Sequence, residues 1–222
     1  MDTTTNNTLP ASTTRGHVAV DHPDGSPLEP SDPRVTYLRA ALTARAVIDA
    51  VEVADHELPT PCRGWTVTDL VRHMTAVYRR VAVAPTGVDL AAVPGMSDVA
   101  PTDARRTIDE SLALAHQNWD DAARLEAIIE APWGPTPGGA CLAIWASEFY
   151  MHAWDLAVSI GVTVDWPEPD VSIAAEMTEA GIPAERGPEV PFDDVVELTD
   201  GASPIERLVA WVGRNPAAPI QP

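Results

Sequence analysis

Apolar residues recur at helical spacing through most of this chain. From Pro33 onward, Val35, Leu38, Leu42 and Ile48 follow such a pattern. Asp32-Pro33 sets a capping side chain before a proline at the first helical position, which predicts a helix over 33–54. Thr66-Val67-Thr68-Asp69 has the form of a capping box. It opens a second predicted helix over about 67–84, with a stripe of Leu70, His73/Met74, Val77 and Val81. Residues 85–101, which contain Pro94-Gly95, read as a connector. A third helix is predicted over about 102–123 from Ile108, Leu112, Ala115 and Trp119. Residues 125–139 break the period with Ile128-Ile129, Pro132, Gly134, Pro135, Pro137 and Gly138-Gly139, which predicts a short extended excursion. A fourth helix, about 140–160, is apolar nearly all round and stops at Gly161. Such a helix belongs in the middle of a bundle. Asp170 is placed to cap a fifth helix ending near Gly181, and Ser203-Pro204-Ile205-Glu206 opens a last one that includes Leu208 and Trp211.

Five or six helices with connectors predict an all-α, up-and-down bundle with additional C-terminal helices over residues 32–216. Residues 1–31 are polar, Thr- and Pro-rich and without hydrophobic period. They cannot bury enough apolar area to offset chain entropy and are expected to form a disordered leader. Residues 217–222 read as a tail. The 222 residues suffice for one domain with a substantial core.

Composition narrows the partners. There is no Lys; 14 Arg face 33 Asp and Glu, for a net charge of −19. That balance argues against nucleic acid and against an anionic membrane surface. The chain lacks an eighteen-residue apolar run and a signal-peptide pattern, so a cytoplasmic protein is expected. Cys62 and Cys141 make neither a disulfide framework nor a Cys-x-x-Cys metal spacing.

The candidate chemistry lies in two of the helices. Glu148 and His152 are four residues apart, so they project from one helix face. His73 occupies an inward position of the second helix. Two imidazoles and one carboxylate can hold a divalent metal and leave positions open for substrate. The alternative is a set of hydrogen-bonded core side chains, with a buried Arg in place of a metal offsetting Glu148. Three protein ligands are typical of catalytic zinc, and Ni2+, Co2+ or Fe2+ also suits the set. An open zinc position lowers the pKa of a bound water or thiol. No side chain stands out as a catalytic acid. Asp155, three residues after His152, either orients a ligand or faces the helix surface. Cys62 either approaches the metal or fills a loop-to-core contact, and Cys141 reads as core. Trp65 and Trp154 read as packing anchors. His17 and His22 are expected to be solvated in the leader, His56 starts a loop, and His116 borders the third stripe.

Three segments resemble one family. Thr60-Pro61-Cys62-Arg63-Gly64-Trp65-Thr66-Val67, then Asp69-Leu70-Val71 and His73, is similar to a motif of the mycothiol-dependent maleylpyruvate isomerase-like proteins of actinobacteria. Glu148 through Ala157, read as E-x-x-x-H-x-WDLA and followed by Gly161, resembles their metal helix. Ala202-Ser203-Pro204 to Leu208, with Val212-Gly213-Arg214-Asn215-Pro216, resembles the last helix of the short single-domain branch. The resemblance implies a four-helix bundle of the DinB/YfiT-like superfamily with metal ligands His73, Glu148 and His152. It implies zinc as the metal, mycothiol or a similar small thiol as cosubstrate, and transfer of that thiol to a small electrophile. The alternatives are a non-catalytic metal- or ligand-binding bundle, a maleylpyruvate isomerase-type enzyme, or a hydrolytic metalloenzyme. The characterised isomerases carry a further C-terminal domain for which 222 residues leave no room, so transferase chemistry is expected over maleylpyruvate isomerisation itself. An apolar helix surface and the superfamily leave a homodimer open.

Overall fold

The computed structural model describes residues 15–20, 32–187 and 190–218. Among these residues the chain is all-α with small β additions. Helix α1 (Pro33–Asp49) starts as predicted, with the Asp32 side chain accepting from the Arg34 amide at 2.9 Å. It ends before residue 54 because Glu52 and Asp55 cap a separate 3-10 turn, Val53–Asp55. Helix α2 (Val67–Val83) opens with the reciprocal Thr66/Asp69 capping box. Helix α3 (Ala104–Asn118) stops at Trp119, whose indole donates to the Val81 carbonyl at 2.9 Å. Of the residues predicted to prolong it, 119–122 form a connector and Ala123 opens a separate turn, α4 (Ala123–Glu126), where the Asp121 carboxylate accepts from the Ala123 amide.

The extended excursion is a hairpin. Strand β2 (Ile128–Ala131) pairs antiparallel with β3 (Gly134–Pro137). Helix α5 (Gly138–Ile160) follows at once. A Cβ on Gly138 would lie 2.2 Å from the Arg124 carbonyl oxygen, so only glycine permits this close approach. Gly161 ends α5 in the left-handed region at φ 70°. Helix α6 (Glu168–Gly181) begins before Asp170, which is therefore not its cap. Asp170 is buried and takes the Arg39 guanidinium from α1 at 3.1 Å. Helix α7 (Pro204–Trp211) opens with the Ser203/Glu206 capping box.

The expectation of a disordered leader needs correction at one point. Strand β1 (Gly16–Val18) pairs in parallel with β4 (Val162–Val164), and Arg15 forms an ion pair with Asp55. His17 is exposed but not simply solvated: it meets Asp165 at 2.9 Å and Thr163 at 3.1 Å. No apolar period announces so short a strand. The rest of the expected leader, His22 included, and residues 219–222 of the expected tail lie outside the described residues.

Helix α5 forms the centre of the core. Trp145, Phe149, Tyr150 and Leu156 are fully buried, and the Phe149 ring meets those of Tyr78 and Tyr37. Helix α1 lies along α5 through Ala40, Ala41 and Ala44, small residues that allow close packing. Helix α2 packs on both α3 and α5, and α6 with α7 covers another side of α5. This puts His73 on α2 opposite Glu148 and His152 on α5. No helix of the described residues is long and apolar enough to cross a membrane.

Asp32→Ala is expected to cost about 1 kcal/mol in urea unfolding at pH 7, a typical N-cap loss. The Arg34 guanidinium, aided by the Arg34 amide, outweighs desolvation and holds the Asp32 pKa below its ordinary value. Ionised Asp32 therefore favours the folded state above the ordinary aspartate range. The difference between wild type and variant should shrink as pH falls through the lowered pKa.

Candidate metal centre

Three ligand-type side chains converge between α2 and α5. One ligand atom from each of His73, Glu148 and His152 lies within 4.8 Å of the others. The His73 and His152 ring centroids are 5.0 Å apart, edge to face. His73 and Glu148 keep partial exposure, at 16% and 22% of their side chains, whereas His152 is buried. The site therefore opens to solvent on the His73–Glu148 side.

Hydrogen bonding fixes which lone pairs face inward. His73 Nδ1 lies 3.0 Å from the Gly95 carbonyl oxygen, which can only accept, so Nδ1 carries a proton and donates. In the neutral ring Nε2 is then a bare lone pair, yet it faces Glu148 Oε1 at 3.2 Å. Two acceptors at that distance require a proton or a cation between them. His152 Nδ1 stands 3.0 Å from Asp155 Oδ2 and donates to it, leaving Nε2 unprotonated in the neutral ring. Burial lowers the His152 pKa despite the opposing Asp155 carboxylate, and the nearby His73 charge adds to the lowering. Burial works against ionised Glu148. The hydrogen bond and charge of His73, with His152 and Arg80, outweigh it and keep the Glu148 pKa below the usual range. The result is a neutral imidazole beside an ionised carboxylate, a donor set suited to a divalent cation.

A second layer lies behind His152. Asp155 is fully buried, with no exposure toward the helix surface. Its Oδ2 accepts from His152 Nδ1, from the Cys62 thiol at 3.2 Å and from an Arg214 terminal nitrogen at 3.0 Å; Arg214 Nε reaches Oδ1 at 3.1 Å. Burial disfavours the Asp155 anion, but Arg214 and His152 prevail and hold its pKa at about 2. Cys62, from the loop before α2, also lies 3.8 Å from His152 Nδ1 and 3.4 Å from Arg214, so it joins this layer rather than only filling a loop contact. Cys62, His152 and Asp155 form a second ligand-type group, but the Arg214 guanidinium already supplies positive charge there. Trp65 is more than a packing anchor, since its ring lies 5.0 Å from that of His73. Trp154 packs against the core, Cys141 is buried in it, and His56 and His116 join neither cluster.

Sequence reasoning missed Arg214 and the Gly95 carbonyl. Arg214 was visible only as part of a motif, 59 residues from Asp155, and the one available signal was that a buried carboxylate needs a cation. A backbone carbonyl carries no side-chain signature at all.

Burial, with the Asp155 charge opposing ionisation, pushes the Cys62 thiol up to about 12. Its alkylation by iodoacetamide at pH 7.5 should run roughly 50-fold slower than that of an unstructured cysteine peptide. Asp155→Asn, which removes the opposing charge, should speed it. Peptide mass spectrometry against time reads both.

The helical architecture matches a DinB-like helical fold. A family model described as the mycothiol maleylpyruvate isomerase N-terminal domain matches residues 37–157, from α1 nearly to the end of α5. The chain belongs to that family, and the match includes His73, Glu148, His152 and Asp155. Uncharacterised proteins from two Mycobacterium tuberculosis strains are 28% identical over 187 residues, covering 83% of this chain and 98% of theirs. The crystal structure of the mycothiol-dependent maleylpyruvate isomerase is similar over 68% of each chain, with a TM-score of 0.53 and 18% identity. A histidine-to-alanine mutant of that isomerase gives a TM-score of 0.51 and 17% identity. At these identities the structural likeness speaks for the fold.

Proposed function

We propose that this protein is a metal-dependent enzyme that transfers mycothiol, or a similar low-molecular-weight thiol, to an electrophilic small molecule. The observation that carries the reading is the set of unshared lone pairs. His73 Nδ1 is committed to Gly95 and His152 Nδ1 to Asp155, so in the neutral rings both Nε2 lone pairs are uncommitted, and a shared cation would take the place of the proton between His73 Nε2 and Glu148. His73, Glu148 and His152 would hold it, with zinc the metal that two imidazoles and a carboxylate most commonly bind at a catalytic site. When bound, such a cation supplies Lewis acidity that keeps a thiol ionised at neutral pH. Membership of a family named for mycothiol supports a thiol as the cosubstrate.

The chain's own residues fill the remaining roles. Asp155 holds His152 in the Nδ1–H tautomer, and Arg214 keeps Asp155 ionised. Gly95 performs the same orienting task for His73. Trp65 forms an aromatic wall against His73, where it can exclude water from an incoming thiol. Cys62, with its thiol held protonated, is a hydrogen-bond donor to Asp155 and not a competing nucleophile. The deciding assay follows consumption of mycothiol by a panel of electrophiles in zinc-loaded and metal-stripped protein. Turnover that needs both metal and thiol supports the reading. Turnover with metal alone would make the protein a hydrolase, and its absence with every electrophile would leave a binding module.

A further inference from the structure

With 33 carboxylates against 14 arginines, most guanidinium groups in this chain have an acidic neighbour. Arg80 is an exception beside the metal centre. Among the described residues no carboxylate oxygen lies within the 4.0 Å ion-pair distance of its guanidinium. Its Nε is buried without a hydrogen-bond partner, and a terminal nitrogen makes only a long contact, 3.3 Å, to the Val93 carbonyl. A buried donor left unused is costly and calls for an explanation.

Its position supplies one. Arg80 follows His73 by seven residues on α2, close to two full turns, so the two share a helix face. A terminal nitrogen of Arg80 lies 4.0 Å from the Cβ position of Gly95, the residue whose carbonyl holds His73. The charge reaches Glu148 without an ion pair to it. The guanidinium thus borders the metal centre with donors to spare. The Nε atoms of Arg45 and Arg72 also lack a hydrogen-bond partner, but Arg45 is ion-paired with Asp109, and it is Arg80 whose terminal nitrogen lies beside Gly95.

We propose that Arg80 anchors a carboxylate of the electrophilic substrate and makes the site selective for anionic over neutral electrophiles. The planar fork of a guanidinium matches a carboxylate, and partial burial strengthens the contact. A net charge of −19 works against larger polyanions, which favours a small substrate with one carboxylate at this end. The proposal rests on the thiol-transfer reading for the identity of the ligand as substrate, but the anion site itself does not require bound metal.

Acrylate and its neutral counterpart acrylamide are suitable probes. Binding to the metal-stripped protein is followed by saturation-transfer NMR. Arg80→Gln should weaken acrylate at least tenfold and leave acrylamide unchanged, while Arg80→Lys, which keeps the charge but not the fork, falls between. Equal acrylate affinity in wild type and Arg80→Gln would overturn the proposal. So would acrylamide binding as well as acrylate, or no acrylate binding to wild type up to about 50 mM. If Arg80→Gln does not fold, Arg80→Lys decides, because an unchanged affinity there removes any role for the fork. Metal content is read separately: Arg80→Gln should retain metal, and His73→Ala should lose metal yet bind acrylate. A wild type that binds acrylate but no metal would sink the thiol-transfer reading alone.

Discussion

His152→Ala is expected to lose metal retention and, with it, thiol transfer. Elemental mass spectrometry should find about one zinc per wild-type chain, the stoichiometry of a three-ligand site, and less than about a tenth of that in the variant. The expectation follows from geometry. His152 is the most buried of the three proposed ligands, its tautomer is set by Asp155, and removing it leaves only His73 and Glu148, both partly open to water. Loss of an outer partner such as Asp155 typically costs 10–100-fold in metal affinity, so loss of a ligand should cost at least about 100-fold. Rates of mycothiol consumption should fall in proportion to metal content. If alanine at His152 left both metal content and turnover unchanged, the proposed mechanism would be wrong.

Arg214→Met is expected to produce the largest loss of stability. Asp155 is completely buried, and Arg214 makes two of its hydrogen bonds and supplies the neighbouring positive charge. Removing one member of such a pair strands the other and costs about 3–5 kcal/mol. For a domain of this size that corresponds to a fall of roughly 10 °C in Tm. The double variant Arg214→Met/Asp155→Asn should recover much of the loss, because a neutral amide has no charge to strand and still accepts from His152. Urea unfolding of the two single variants and the double gives the coupling directly. Full additivity would mean that the pair is not the source of the effect.

The helices were legible because their signals are local. Thr66/Asp69 and Ser203/Glu206 announce their own capping boxes, and Gly161 announces the end of α5. Boundaries moved where a nearby side chain captured the backbone first: Asp55 past α1 and Asp121 past α3. Asp170 misled because a carboxylate near a helix start reads as a cap, whereas Arg39 on a distant helix had claimed it. The same distinction divides the site. Glu148, His152 and Asp155 sit on one helix at spacings that can be read directly, and His73 was readable from the inward stripe of α2. Arg214, Gly95 and Arg80 matter through contacts between separate parts of the chain, and periodicity does not report those. Strand β1 escaped for a related reason, since three residues pairing with a partner 146 positions away leave no pattern of their own.

The bond between Arg214 and Cys62 spans 152 residues of sequence. Between them lie α2, α3, the hairpin, α5, α6 and α7, all of which must be in place before guanidinium and thiol can meet. Contacts of such separation form slowly and late, after the local helices. The buried charge pair behind His152 is therefore expected to be completed late in folding: until the C-terminal segment docks, Asp155 lacks the Arg214 guanidinium that keeps it ionised against His152. A partly folded chain would hold metal loosely and exchange it fast. Tight metal uptake would then mark the moment at which the whole chain, and not only α2 and α5, has reached its final arrangement.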